Sequence, residues 1–297
     1  MKKMKKIYLI LPILAGIMFG STGIFVRTLT NNGVDSTTLL FLRFSIAIIY
    51  MFLAIILTDK ELLKIEKSDI SLFIVCGLCI LGLNLCYNNS INTVPLSLAA
   101  VLLSTAPVFV LIIAYFLFDE KITGAKIISV ILVLIGCTLA TGLIEENIAG
   151  ISTFGLISGI GSAIFWAIYT IASRKSIDNG KHTFTILFYS LIIITIVSIP
   201  FTNFGQISNF VLLNPLKNIV FLLLHSLVSF ALPYIFITIS LNHVDTGTVV
   251  ILSSCEPVAA LVFGIIVYQE IPSILMLLGL FITIIALLIL SKKSSEN

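Results

Sequence analysis

Charge is scarce in this chain. Asp, Glu, Lys and Arg make up only 10% of the 297 residues, against about 25% in ordinary soluble domains, while 59% are hydrophobic. A water-soluble surface cannot be covered from so small a polar supply, and burying nearly everything is forbidden by surface-to-volume scaling. Lipid must therefore be part of the solvent. Other absences narrow the chemistry. None of the three histidines lies in a His-Glu-x-x-His or Gly-x-Ser-Gly setting, which leaves an intramembrane hydrolase or transferase without its nucleophile and base. Gly180-Lys181-His182 lacks the upstream glycine and the following Ser or Thr of a phosphate-binding loop, so ATP-driven pumping has no engine here. Cys76 and Cys79 have metal-like spacing but no second pair or nearby histidine, and with Cys86, Cys137 and Cys255 they lie in apolar runs as small hydrophobes. No metal and no cofactor are expected. The net charge of +3 is small and its basic residues carry no aromatic interleaving, which speaks against a nucleic-acid partner.

What is present is a series of long apolar runs. A membrane span takes about 20 such residues, and runs of that kind fall near 7–27, 36–58, 70–91, 94–118, 124–144, 151–173, 183–202, 218–240, 246–268 and 272–291. The first follows Lys2, Lys3, Lys5 and Lys6 and so imitates a secretory signal, but it runs on without a small-residue cleavage site and reads as a retained span. Backbone polar groups cannot go unpaired in hydrocarbon, and the alternation of a β-barrel is missing, so the spans are helices and the class is all-α. With the N-terminus placed inside, 14 of the 17 Lys and Arg fall in the tails or internal loops, and only Arg27, Arg43 and Lys217 lie elsewhere. Loops 31–35 and 145–150, the latter with Glu145 and Glu146, hold no lysine. Both termini are expected in the cytoplasm of a multi-pass protein of the cell membrane.

The chain also repeats itself. A shift of 150 residues superposes Ser90 on Ser240, Asn92 on Asn242, Val94 on Val244, Leu102 on Leu252, Ser104 on Ser254, Pro107-Val108 on Pro257-Val258, Leu111 on Leu261 and Glu120 on Glu270 without a gap. At a slightly different offset, Gly16-Ile17-Met18-Phe19-Gly20 and Arg27 match Ala163-Ile164-Phe165-Trp166-Ala167 and Arg174. Two units, 1–145 and 146–297, each hold five spans. Five is odd, so the second unit enters the membrane upside down relative to the first, an architecture that lets a cavity between the halves open to either face.

Phe19-Gly20 and Trp166-Ala167, Leu42-Arg43-Phe44, the stretch Ser90-Ile91-Asn92-Thr93-Val94-Pro95-Leu96-Ser97-Leu98-Ala99 running to Pro107-Val108, and its second copy Ser240 to Gly247 with Glu256-Pro257-Val258 and Glu270 together resemble the EamA-type transporters of the drug/metabolite transporter superfamily. The likeness spans nearly the whole chain. Ser90-Ile91-Asn92-Thr93 departs from the family's Ala-Leu-x-Tyr and points to altered packing at the end of the third span. The resemblance implies a carrier of ten helices with a central cavity lined by spans 1, 3, 4, 6, 8 and 9, which places Phe19, Ser104, Tyr234 and Ser253 among the residues that meet the solute.

The residues themselves add further candidates. Ionisable groups inside spans face a cavity or a partner, and here they are Arg43, His225 and Glu256. Arg43 lies about 10 Å from the outer start of its span at 1.5 Å per residue, where it serves either as a snorkelling anchor or as an anion-facing cavity residue. Glu256 lies near the midplane beside Pro257, where a carboxylate binds solute, exchanges a proton, or hydrogen-bonds within the bundle to fix a kink. His225 reads as a satisfied interior histidine. Asn84, Tyr87 and Asn88 share one helix face and either bind solute or join helices. Trp166 and Tyr169, with Ser162, form an aromatic face suited to a flat or cationic solute, or to core packing. Pro107 and Pro257 mark matching interruptions of the kind found at repeat interfaces. The expected partners are a small-molecule solute and the lipid bilayer, with proton coupling and a homodimer both left open. The function that follows is a secondary transporter of a small organic metabolite, such as an amino acid, working by alternating access. The alternatives are an intramembrane enzyme, or a sensor or scaffold without transport activity.

Overall fold

The structure, a computed structural model, describes residues 2–145 and 152–296. Glu146 and the expected junction between the two units lie outside the described residues. Ten apolar helical segments fold back and forth: α1 (Ile7–Asn31), α2 (Ser36–Thr58), α3 (Lys67–Ile91), α4 (Leu96–Phe118), α5 (Gly124–Ala140), α6 (Thr153–Asp178), α7 (Thr183–Phe201), α8 (Pro215–Leu241), α9 (Thr246–Tyr268) and α10 (Ile274–Ser294). Nine reach the length of a membrane span. The exception, α5, has 17 residues, about 25 Å at 1.5 Å per residue, and still approaches the hydrocarbon thickness. No strand occurs among the described residues. The short helix Phe204–Leu213 between α7 and α8 was expected as loop. It exposes Leu212 and Leu213 and buries Phe210, as an interfacial helix does.

The protein is an all-α integral membrane protein built as two inverted five-helix repeats, and the repeat is visible in the backbone. α4 breaks at Ser104 and restarts at Ala106-Pro107, and α9 breaks at Ser254 and restarts at Glu256-Pro257. Each proline takes the first turn of the new segment, where its missing N–H costs nothing. Ser104 and Ser254 hydroxyls each donate 2.8 Å to a carbonyl one turn back. The halves close with left-handed residues at matching sites, Asp119 (φ 52°) and Gln269 (φ 56°).

Packing follows the same symmetry: α3 lies along α6 as α1 lies along α8, while α2 meets α7 and α5 meets α10. Gly16 and Gly20 let α1 press onto the backbone around the α9 break, and Gly155 and Gly159 let α6 do the same against the end of α3 and the middle of α4. Ser90 at the departing Ser-Ile-Asn-Thr stretch bonds the Gly155 carbonyl across that contact at 3.0 Å.

The loops sort to two ends. At one end, Thr185 and Tyr189 hydroxyls bond the carbonyls of Leu62 and Leu63 at 2.8 and 2.6 Å, and Lys181 meets Asp69 at 2.8 Å. Residues 59–68 and 174–182 therefore share a face, as an inverted repeat requires. The hydrogen bond from Lys181 to Asp69 holds its ammonium pKa above the ordinary lysine value. At the other end, Asp35 caps α2 by accepting from Thr38 N–H at 2.8 Å and donates its own backbone N–H to Gln206 Oε1 at 2.9 Å. Burial opposes ionisation of Asp35, but bonds from Thr37 and Thr38 outweigh it and hold the carboxyl below its usual range.

α5 and α10 cross at Gly136 and Gly279, where a β-carbon on Gly279 would collide with the backbone of Ala140 and Gly136. Gly279→Ala is expected to destabilise the purified protein by about 1–3 kcal/mol, the range for overpacking. Gly23→Ala, which meets open space, should be neutral or stabilising by about 0.4–1 kcal/mol. Thermal unfolding in detergent checks the contrast, and equal shifts would contradict the close crossing.

Candidate functional site

Midway through the bundle, aromatic rings from three helices meet, all edge to face except the stacked pair Trp166 and Tyr169. Phe19 of α1 stands 5.9 Å from Trp166 and 5.5 Å from Tyr234, ring centre to ring centre, and Trp166 lies 5.5 Å from Tyr169 and 5.7 Å from Tyr234. Tyr169 and Tyr234 close the group at 5.3 Å. These spacings fall in the favourable range for aromatic pairs. Of the residues expected to meet the solute, the structure brings Phe19, Trp166, Tyr169 and Tyr234 together. The cluster continues through Phe230, stacked on Tyr234 at 4.2 Å, to Phe44 on α2. The Tyr169 hydroxyl is buried without a hydrogen-bond partner.

Arg43 adjoins this wall. It is 7% exposed, so the snorkelling anchor is the wrong reading: the side chain turns into the bundle instead of toward the interface. Its Nη2 donates to Asn84 Oδ1 at 2.7 Å, and its guanidinium carbon sits 5.4 and 5.5 Å from the Phe44 and Phe230 ring centres, within cation–π range. Its carbonyl accepts from Ser226 on α8 at 2.7 Å. Its Nε remains buried without a partner. Asn84 thus joins two helices, with its amide nitrogen returned to Ile80 on its own helix.

Glu256 opens the second half of α9, so the feature beside Pro257 is a full break in the helix and not a kink. Its carboxylate lies within electrostatic reach of Arg43, Tyr87 and Tyr234, yet among the described residues it makes no ion pair within 4 Å. It is half-buried, as are Asn84, Tyr87, Asn88 and Phe19. These five side chains are therefore only partly covered by the helices packed around them. The hydrogen-bonded, kink-fixing carboxylate does not match this arrangement.

Other candidates fall differently. The hydroxyls of Ser104, Ser253 and Ser162 all bond carbonyls of their own helices, and Pro107 and Pro257 shape the two breaks without meeting each other. His225 is buried at 1% exposure, shares a 3.1 Å hydrogen bond with Ser229 and leaves Nε2 unpartnered. It introduces a π-helical turn, Leu227–Ala231, that carries Phe230 toward Arg43. Sequence reasoning missed Phe44, Phe230 and Ser226, because a π turn has no periodic signature and the three are ordinary residues of apolar spans. The two measured cavities, about 220 and 280 Å³, lie at opposite ends of the bundle, around Lys126 and Asp245 and around Lys217 and Asn218, away from Arg43 and Glu256.

Discontinuous helices, inverted halves and unmatched charges at mid-depth define a membrane transport protein. A family model for the EamA-like transporter family matches residues 6–142 and again 153–292, and the chain belongs to that family. It is 26% identical over 293 residues to an uncharacterized transporter of Clostridium kluyveri, covering 96% of this chain and 93% of that one. It is 24% identical over 283 residues to the pseudopaline exporter CntI of Pseudomonas aeruginosa, covering 95% of each. A crystal structure with 15% identity superposes on 97% of this chain and 98% of its own with a TM-score of 0.80, which shows a shared fold. The names of the family and of these relatives are those of transporters, not enzymes.

Replacing Asn84 by Leu leaves a buried guanidinium N–H without its acceptor and should cost about 1–3 kcal/mol of stability. Asn88→Leu, at a half-buried position, should cost less. Equal losses in thermal unfolding would show that the Arg43–Asn84 bond carries no special weight.

Proposed function

We propose that the protein is a secondary carrier that moves a small organic metabolite, an amino acid or a similar solute, across the cytoplasmic membrane by alternating access. The working halves are residues 1–145 and 146–297, with the lysine-rich end and both termini on the cytoplasmic side, as the distribution of basic residues favours. The observation that carries this reading is the coexistence, inside the spans, of a buried guanidinium with a spare donor beside the aromatic cluster and a carboxylate without an ion-pair partner among the described residues. Isolated charges at this depth are costly and persist where a ligand or water answers them.

Each residue has a role in this reading. Arg43 binds the carboxylate of the solute, held by Asn84 and flanked by Phe44 and Phe230. Trp166, Tyr169, Tyr234 and Phe19 offer ring faces to its apolar or cationic part. Tyr87, Asn88, Ser104 and Ser253 supply polar contacts along α3, α4 and α9. Glu256 takes the solute's ammonium group or a proton, which couples transport to the proton gradient. Pro107 and Pro257 free the backbone at the breaks so that the helices can bend there. Export is the favoured direction, since one relative is named for exporting a small metabolite.

The test is counterflow in proteoliposomes loaded with unlabelled L-amino acids and given the radiolabelled mixture outside. A carrier accumulates label transiently, and Arg43→Gln should reduce that accumulation at least tenfold. Glu256→Gln should retain counterflow while removing any dependence of net transport on pH. Absence of counterflow across the mixture and across small organic acids contradicts the carrier. Unchanged pH dependence removes Glu256 from proton coupling.

A further inference from the structure

The turn between α8 and α9, residues 242–245, is gripped on one side by its own half and on the other by the opposite half. Arg174, near the end of α6, donates through Nη1 to the carbonyls of Leu241 and Val244, the latter at 3.3 Å. Glu120, just beyond α4, accepts from the Thr246 and Gly247 N–H groups at 2.7 and 3.2 Å. A cation therefore meets the carbonyl end of α8 and an anion meets the amide end of α9, the favourable sign at both helix termini. Lys126 reinforces the grip, 2.6 Å from Asp245 and 3.9 Å from Glu120.

The repeat assigns each of these groups a counterpart at the other end. Arg27 matches Arg174, Glu270 matches Glu120, and the α3–α4 turn, residues 92–95, matches 242–245. The backbone repeats as well: Glu120 and Glu270 both send N–H bonds of 3.3 Å to matching carbonyls, Ala114 and Gly264. The side chains do not. Arg27 meets Glu270 at 3.4 Å, with both about half exposed, and stacks 4.2 Å over the Tyr268 ring. The Glu270 carboxylate folds back over Gly264, where a β-carbon would strike it.

We propose that these are two states of one clamp, exchanged between the ends during transport. In this structure the grip is made at the lysine-rich end and not at the other, which on this proposal is the state closed at the lysine-rich end. When the cavity turns, Arg174 and Glu120 release the 242–245 turn and pair with each other. Arg27 and Glu270 then separate and grip the 92–95 turn through the carbonyls of Ile91 and Val94 and the amides of Leu96 and Ser97. The two clamps are unequal, because Met276 and Pro95 occupy the positions matching Lys126 and Asp245. The lysine-rich end therefore closes more firmly, which accounts for the state observed. This inference rests on the carrier reading.

Spin labels on Asn92→Cys and Ile271→Cys, in full-length protein in liposomes, report the width of the open end by pulsed dipolar spectroscopy. The parent should show mainly a long distance. Glu120→Gln should raise the short-distance fraction several-fold, and Arg174→Gln should do the same if the first variant fails to fold. Adding Glu270→Gln to either should return the long distance, because the alternative clamp is then lost. A merely structural role for Glu120 would not be reversed by a change at the far end. Distances that ignore Glu120 and Arg174, or a shift that survives removal of Glu270, overturn the proposal. Distance exchange in a protein without counterflow would sustain the clamp and contradict the carrier, and counterflow with fixed distances would do the reverse.

Discussion

A charge held inside a bilayer must be answered by another charge, by hydrogen bonds or by water, and Arg43 and Glu256 are answered only in part. Asn84 and two ring faces satisfy some of the guanidinium, and nothing among the described residues pairs directly with the carboxylate. The remainder of the fold is arranged around that shortfall. The break in α9 ends at Glu256 itself, and Gly16 and Gly20 of α1 press onto it, while Gly159 of α6 presses onto Leu102 just before the break in α4. Irregular backbone at membrane depth is tolerated only where protein or a cavity receives it.

The inverted repeat turns this constraint into a mechanism. α1, α8 and α9 form one packed group and α3, α4 and α6 the other, with Arg43 and Glu256 near their seam. Because the groups are related by the repeat, a contact across the seam at one end has matching positions at the other, although the residues there can differ, as Met276 and Pro95 do from Lys126 and Asp245. A structure that uses one member of each mirrored pair is closed at one end only.

Much of this was legible in the sequence. Span count, class, the 150-residue repeat and the sharing of one face by residues 59–68 and 174–182 follow from hydropathy, basic residues and self-similarity, which are long-range signals that tolerate local irregularity. That Trp166 and Tyr169 share a helix face was readable from their spacing, whereas their meeting with Phe19 and Tyr234 depends on how α1, α6 and α8 pack. Arg43 was half legible: depth along a helix is readable, but the direction of a long side chain depends on Asn84, 41 residues away. At Glu256 the local backbone was not legible, since a proline after a glutamate fits a kink as well as the break that is present. The π turn beyond His225 and the helix Phe204–Leu213 were not legible, because neither has a length or period that sets it apart from neighbouring apolar sequence.

The account stands on a cavity between the halves that water and solute reach from either face in turn. A single thiol at Asn88→Cys, with Cys86 replaced by Ala, can be challenged with a membrane-impermeant maleimide in right-side-out and in inverted vesicles. Labelling from both sides, slower from the lysine-rich face and blocked by solute in each, is the result predicted. Labelling confined to one face under all conditions would contradict it.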